Sequence, residues 1–242
     1  MKPVLIIRTG RAPDNIRARH GDFPHWFRLG ASLRAHQLRV VDVQAGESLP
    51  APDEVAGAMI TGSAAMVTER AAWSEQTAGW IRSAMDADLP LLGVCYGHQL
   101  MAHALGGRVD YLPGGREIGT QPIQLTATAA GDPLARILPS SFRAHTTHEQ
   151  SVLECPPATS VLAGSARDPH HLLRYGPNAI SVQFHPEFSA EVMRVYIKRK
   201  QADMRREGTD PQQAFNAVAA TPVARRLLRH FARVHAWSNG IE

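Results

Sequence analysis

The chain has 242 residues, which is enough to bury a full hydrophobic core, and one domain is the expected organisation. Its formal net charge of +4, from 26 Lys and Arg against 22 Asp and Glu, is too small to indicate a nucleic-acid-binding protein. The only cysteines are Cys95 and Cys155, which excludes a disulfide framework and a zinc ribbon and fits a reducing compartment.

The N-terminal apolar run is short. It covers residues 3–7, which is far less than a signal-peptide core or a membrane span requires, and no cleavage site follows it. The sequence therefore predicts a cytoplasmic protein without a membrane segment.

Short segments rich in Val, Ile and Leu recur along the chain, separated by segments of helix length. This alternation predicts a three-layer α/β fold with a mostly parallel sheet covered by helices on both faces. The predicted strands are residues 3–9, 38–43, 55–61, 89–94, 120–126, 160–166 and 179–184. The predicted helices between them are residues 23–36, 73–87 and 96–105.

The pattern changes twice in the second half of the chain. After residue 107 the alternation weakens, and shorter, partly antiparallel strands are expected, with a small helix near residues 132–138. After residue 187 the pattern is wholly helical. We therefore divide the chain into a catalytic unit of residues 1–188 and a helical extension of residues 189–242 that packs on the same domain.

A nucleophile motif lies where the fourth predicted strand meets a helix. The strand ends in Gly-x-Cys-x-Gly, centred on Cys95, and an amphipathic helix follows. A side chain at such a sharp turn points out of the sheet, and flanking glycines tolerate the tight backbone. The helix N-terminus favours negative charge on the sulfur, so Cys95 is the predicted nucleophile.

A second motif, His185-Pro186-Glu187, ends the last predicted strand. Alternate residues of an extended segment point the same way, so His185 and Glu187 are expected to share a face. In an open α/β sheet, sites lie beyond the carboxyl ends of the strands. Cys95, His185 and Glu187 are therefore predicted to form a triad of nucleophile, base and orienting carboxylate.

Each signal taken singly also fits a structural role. A cysteine after a buried strand commonly packs as a small apolar side chain, and a lone His-Pro-Glu fits a turn at the end of a strand. It is the combination of the two motifs, each at a strand end, that favours catalysis.

These motifs resemble those of the class I glutamine amidotransferases, and especially the glutaminase part of guanosine monophosphate synthetase and its free-standing relatives. The resemblance rests on residues 93–100 and 185–187, with weaker matches at residues 60–63 and 147–150. It covers about residues 1–188 and implies a flavodoxin-like fold and no cofactor.

The resemblance also implies roles for particular residues. Cys95 would attack the side-chain amide carbon of glutamine to form a γ-glutamyl thioester, while His185 moves protons and Glu187 holds its tautomer. Backbone N–H groups of Gly62 and Tyr96 would form the oxyanion hole. The substrate's glutamyl portion would be held by Gln99, Thr147, Glu149 and Gln150.

The chain departs from the family pattern at two places. It reads Thr61-Gly62-Ser63 where many members read Gly-Gly-Pro, and residues 147–150 read Thr-His-Glu-Gln where many members read Ser-His-Gly-Asp. Polar segments at residues 17–23 and 111–119 are candidate rims that select a substrate other than free glutamine.

Several functions stay open at this point. The chain is either a self-sufficient hydrolase of γ-glutamyl amides or a glutaminase subunit that supplies ammonia to a partner synthetase. A cysteine-type α/β-hydrolase is disfavoured, because it would carry its acid on a strand between the nucleophile and a late, isolated His. A non-catalytic regulatory module is disfavoured because all three triad residues are present.

Histidine is abundant, yet its spacing does not predict a metal centre. The closest groupings are residues 145–149 and His170-His171, and neither has the helical His-Glu-x-x-His pattern.

Overall fold

The computed structural model describes residues 2–237. The strands are β1 (Val4–Arg8), β2 (Leu38–Asp42), β3 (Gly57–Ile60), β4 (Leu91–Val94), β5 (Arg108–Tyr111), β6 (Glu117–Leu125), β7 (Ser141–His148), β8 (Gln150–Glu154), β9 (Ser160–Gly164), β10 (Leu172–Arg174) and β11 (Ala179–Val182). The helices are α1 (Asp14–His20), α2 (Phe23–Gly30), α3 (Ala72–Asp86), α4 (Tyr96–Ala104), α5 (Ala190–Arg206), α6 (Pro211–Asn216) and α7 (Pro222–Val234).

Nine strands form one mixed sheet in the order β2-β1-β3-β4-β11-β10-β9-β6-β7. The pairings from β2 through β11 are parallel. The pairings from β11 through β7 are antiparallel. Strands β3, β4 and β11 are buried at every position, as expected for central parallel strands covered on both faces.

Two apolar layers cover the sheet. On one face, Phe27 of α2 and Leu228 of α7 pack with strand residues such as Ile6. On the other face, Ile81 of α3 and Leu100 of α4 pack in a second apolar cluster. This arrangement confirms the predicted three-layer, flavodoxin-like α/β fold.

The structure corrects the reading of the region after β1. Residues 17–20, predicted as part of a polar segment, belong to α1, and the predicted helix 23–36 ends at Gly30. Helix α2 begins where the Asp22 carboxylate accepts the N–H of Phe23 at 2.9 Å. Just beyond its end, Ser32 has a φ of 58°, a left-handed conformation that does not continue a helix.

The antiparallel half of the sheet was only partly predicted. Strands β5, β7, β8 and β10 were not among the predicted elements. Strand β7 pairs with β6 over eight residues, although its sequence is rich in His and Thr. Several of these polar residues are buried, so the strand lacks the apolar alternation that would have revealed it.

The C-terminal helices pack against the same sheet. Met193 and Ile197 of α5 form an apolar cluster with Ile118 of β6. The Trp237 indole, just after α7, donates to the Ala56 carbonyl at 3.2 Å. The division at residue 188 stays a prediction, and residues 238–242 of the extension lie outside the described residues.

Within residues 2–237, no helix combines the length and the apolar character that crossing a bilayer requires.

Helix α4 approaches the sheet so closely that its first turn has no room for a side chain at Gly97. A Cβ built there would lie 2.5 Å from the Ile60 carbonyl oxygen of β3. We expect Gly97→Ala to lower the free energy of unfolding by about 1 to 3 kcal/mol, since backbone atoms must separate to admit the methyl group. Urea denaturation measures this. Gly176→Ala is the control, because its Cβ would meet no atom within 4 Å, and an equal effect of both substitutions would contradict the prediction.

Candidate active site

Cys95 occupies a strained turn between β4 and α4. Its φ of 53° and ψ of −102° are unusual for a residue with a side chain. Three backbone hydrogen bonds hold the turn: Cys95 N–H to the Val182 carbonyl at 2.9 Å, Gly97 N–H to Thr61 at 3.1 Å and Gln99 N–H to Cys95 at 3.1 Å. The neighbouring strands therefore fix the backbone that presents the sulfur.

His185 reaches the same edge of the sheet because β11 lies beside β4. The two strands run parallel, and Val182 is aligned with Val94. Beyond β11, the N–H of His185 donates to the His145 carbonyl of β7 at 2.8 Å. The last residues of both strands thus point towards one region above the sheet.

Gly62, Cys95 and His185 surround a single point. A methyl group built on Gly62 would lie 3.0 Å from His185 Cε1 and 3.6 Å from Cys95 Cβ. The side chain of Cys95, the imidazole of His185 and the loop after β3 therefore lie within reach of one small chemical group.

Glu187 lies behind the imidazole. His185 Nδ1 donates to Glu187 Oε1 at 2.7 Å, and both side chains are almost fully buried. Within residues 2–237, His185 Nε2 has no hydrogen-bond partner, so this nitrogen is left for the sulfur or a ligand. Burial lowers the pKa of His185, but the charges of Glu187 and Cys95 outweigh it and raise that pKa to about 10. The site thus favours the imidazolium form of His185.

Aromatic rings form a wall along the imidazole. His185 stacks on Phe188 with ring centroids 4.0 Å apart, and Phe188 stacks on Tyr196 of α5 at 5.0 Å. Phe23 of α2 lies 6.5 Å from His185 between ring centroids. These contacts restrict the ring plane of His185 and shield it from water.

The loop after β3 and the first turn of α4 form the opposite side of the site. Thr9 holds the loop, because its hydroxyl donates to the Thr61 carbonyl at 2.8 Å. Tyr96 is the first residue of α4, so its backbone N–H has no hydrogen-bond acceptor within the helix. Its phenol bonds Ser74 at 2.7 Å, and burial raises the pKa of Tyr96 to about 12, so the ring stays neutral and fixed.

Gln99 can offer an acceptor to a ligand. Its side-chain amide donates to the Gln150 carbonyl at 2.6 Å and to Gln183 Oε1 at 3.0 Å. Both N–H groups are then used within the protein, so only Gln99 Oε1 remains available.

The segment after β7, residues 147–150 where β7 passes into β8, is held in place by contacts of its own side chains. The Glu149 carboxylate pairs with Arg116 at 2.9 Å and with Lys200 at 3.4 Å. The Gln150 amide donates to Thr68 Oγ1 at 2.6 Å. Because these side chains already have partners within the protein, we expect the backbone of residues 147–150, rather than the side chains, to contact a ligand.

A cavity of about 280 Å³ opens above the nucleophile. It is lined by seven of the nine predicted site residues: Cys95, Tyr96, Gln99, Thr147, Glu149, Gln150 and His185. The other two do not line it; Gly62 lies beside Cys95, and Glu187 lies behind His185.

Several cavity residues were not predicted as site residues. Arg11, Phe188, Tyr196, Arg199 and Lys200 line the cavity alongside the predicted residues. Phe188 directly follows the His-Pro-Glu motif, which is the one signal of its position in the sequence. The predicted rims contribute Phe23 and Arg116.

A buried cluster supports the segment after β7. The Glu117 carboxylate accepts from His148 Nε2 at 3.0 Å, His171 Nε2 at 2.8 Å and Ser165 Oγ at 2.5 Å. The sequence does not reveal this His-His-Glu grouping, because the histidines lie 31 and 54 residues beyond Glu117. Burial raises the pKa of Glu117, but the hydrogen bonds from both histidines outweigh it and hold that pKa far below its ordinary range.

Comparison with known proteins identifies the family. The family model for class I glutamine amidotransferases matches residues 28–203. The chain belongs to this family. Membership disfavours the alternative of a cysteine-type α/β-hydrolase.

Two curated relatives illustrate the range of proteins that the chain is similar to. A glutamine-hydrolysing GMP synthase of Thermomicrobium roseum is 36% identical over 131 residues, which are 54% of this chain and 23% of the synthase. Gamma-glutamyl peptidase 4 of Arabidopsis thaliana is 28% identical over 164 residues, 67% of this chain and 65% of the peptidase. The chain thus spans about a quarter of the synthase and about two thirds of the peptidase.

Two solved structures share the fold. A glutamine amidotransferase of Thermotoga maritima superposes with a TM-score of 0.73 at 19% identity, covering 98% of this chain and 100% of that one. One from Methylobacillus flagellatus gives a TM-score of 0.71, also at 19% identity, covering 100% of this chain and 98% of the other.

We expect the Glu117 cluster to make the free energy of unfolding pH-dependent in the acid range. Since folding holds the pKa of Glu117 below its ordinary value of 4.5, the cluster stabilises the fold above that pH and loses this contribution as pH falls. We expect Glu117→Gln to lower the free energy of unfolding by about 3 kcal/mol at pH 7, as expected for breaking a buried charged cluster. The difference from wild type should shrink below pH 4.5. Urea denaturation across this pH range measures it, and a difference that grows on acidification would contradict the prediction.

Proposed function

We propose that this chain hydrolyses a γ-glutamyl amide through a thioester on Cys95 and releases ammonia or an amine. The observation that carries the proposal is the strained Cys95 turn beside a buried imidazole whose Nδ1 is held by Glu187. This grouping supports a nucleophile, a base and an orienting carboxylate for covalent acyl transfer.

In the first step, the Cys95 thiolate attacks the γ-carbonyl carbon of the substrate. Backbone N–H groups of Gly62 and Tyr96 stabilise the oxyanion. The C–N bond then breaks, and the imidazolium of His185 gives its Nε2 proton to the departing amine. The raised pKa of His185 keeps that proton available at neutral pH.

In the second step, water attacks the thioester. His185 takes a proton from the water, and the hydroxide adds to the carbonyl carbon. The C–S bond breaks, glutamate leaves and the thiolate of Cys95 is regenerated beside the imidazolium.

The substrate's glutamyl end is assigned to the side of the cavity opposite the aromatic wall. Gln99 Oε1, left free by the internal bonds of its amide nitrogen, accepts from the α-ammonium. The backbone of Thr147, Glu149 and Gln150 holds the α-carboxylate, with their positions secured by Arg116 and Thr68.

A second candidate function is a glutaminase subunit that supplies ammonia to a partner synthetase. The similarity to the glutamine-hydrolysing GMP synthases favours it. Comparing turnover of glutamine and γ-glutamyl amines, with and without a candidate synthetase, separates the two. Cleavage of glutamine only in the presence of a partner would establish the subunit.

The cytoplasmic location, the absence of a cofactor and the lack of nucleic-acid binding stay predictions.

Cys95 is expected to carry the acyl group. We expect Cys95→Ala to abolish hydrolysis, and a glutamine-like electrophile to add its mass to the wild type at Cys95, as read by peptide mass spectrometry. Cys155 is the internal control: burial raises the pKa of its thiol and keeps it protonated. Labelling of Cys155 with Cys95 unmodified would refute the assignment.

Removing the Glu187 charge should change the pH profile. In the wild type we expect kcat/KM to fall on the alkaline side near pH 10, where His185 loses its proton. Since Glu187 raises that pKa, Glu187→Gln should move the alkaline limb to lower pH by about 1 unit or more. The exposed Glu191 serves as the control in Glu191→Gln. An alkaline limb that does not move in Glu187→Gln would contradict the assigned role.

A further inference from the structure

The cavity continues past the position that the ammonia of glutamine would occupy. His185 protonates the departing group in the proposed mechanism, so that group lies on the side of the imidazole. This side is lined by the rings of Phe188 and Tyr196, and Arg199 lines the same cavity one helical turn after Tyr196. Ammonia has one heavy atom and needs none of this space.

The same side opens into a neighbouring depression. Arg11 and Arg199 line both the cavity and the depression, and Arg17 of α1 lines the depression as well. An amine that departs as the thioester forms is therefore surrounded first by aromatic rings and then by guanidinium groups.

The basic groups at this mouth are only partly neutralised. Arg11 pairs with Asp42 at 2.8 Å, but Asp42 also binds Arg8 at 2.5 Å, so one carboxylate serves two guanidinium groups. Arg17 pairs with Asp14 at 2.5 Å. Within residues 2–237, the exposed Arg199 makes no ion pair and no side-chain hydrogen bond.

We propose that the leaving group is an amino acid or short peptide whose carboxylate is bound by Arg199, with Arg11 beside it. A guanidinium matches a carboxylate with two parallel hydrogen bonds, and the aromatic wall accommodates the atoms between the scissile nitrogen and that carboxylate. This inference rests on the proposed hydrolysis of γ-glutamyl amides and narrows it to acidic conjugates. Arg199 is then a specificity-determining residue.

Matched substrate pairs test the inference. The pairs are γ-glutamyl-glycine with γ-glutamyl-glycinamide, and γ-glutamyl-alanyl-glycine with its C-terminal amide. In the wild type we expect kcat/KM to favour the acid of at least one pair by about tenfold or more, as for hydrogen bonds to a charged group. Arg199→Gln should bring this ratio close to one, chiefly through a higher KM for the acid.

Arg205→Gln is the matched control, since Arg205 lies exposed on the same helix and lines neither the cavity nor the depression. It should keep the wild-type ratio. A wild-type ratio near one for both pairs, or an acid preference that survives in Arg199→Gln, would overturn the inference.

Binding to Cys95→Ala separates this inference from the proposed function. Calorimetry should show the acid of the preferred pair binding about tenfold more tightly than its amide, with the difference lost in the double variant Cys95→Ala, Arg199→Gln. If the wild type cleaves glutamine yet shows no acid preference, the inference fails and the proposed function stands. If the wild type cleaves no γ-glutamyl amide, the proposed function fails and this inference with it.

Discussion

The parallel pairing of β4 with β11 is the constraint on which the site depends. It aligns Val94 with Val182, and the hydrogen bond from Cys95 N–H to the Val182 carbonyl ties the nucleophile turn to the neighbouring strand. Two segments that lie ninety residues apart along the chain, the distance from Cys95 to His185, therefore end at the same height above the sheet. A slip of either strand by one residue would invert its side chains and separate the sulfur from the imidazole.

Two further supports preserve that alignment. Strand β3 packs so closely against α4 that Gly97 has no space for a Cβ. The carbonyl of His145 in β7 accepts the N–H of His185, so the antiparallel half of the sheet also holds the base. The strained dihedral angles of Cys95 persist because these contacts leave the backbone no relaxed alternative.

The parts of this molecule that were predictable from sequence are those where local pattern and function coincide. Cys95 and His185 each follow an apolar strand, and the carboxyl ends of the strands are where an open α/β sheet places its site. Strand β7 escaped prediction because its buried His and Thr residues hide the apolar pattern that marks a strand. Helix α1 escaped because seven residues with one buried side chain, Ile16, carry little periodic signal. The sequence pattern predicts that Arg199 lies on a solvated helix face. Only tertiary packing brings it to the cavity.

The proposed triad lies at the sheet edge, whereas Arg199 lies on α5, and this separation has an evolutionary consequence. The reacting groups are embedded among buried strands, where almost any replacement disturbs packing. Arg199 and Lys200, in contrast, stand on an outer surface helix with exposed or half-exposed side chains. If Arg199 has the proposed role, a lineage can therefore exchange this one cation and acquire a new preference for the departing amine while the proposed triad is inherited unchanged.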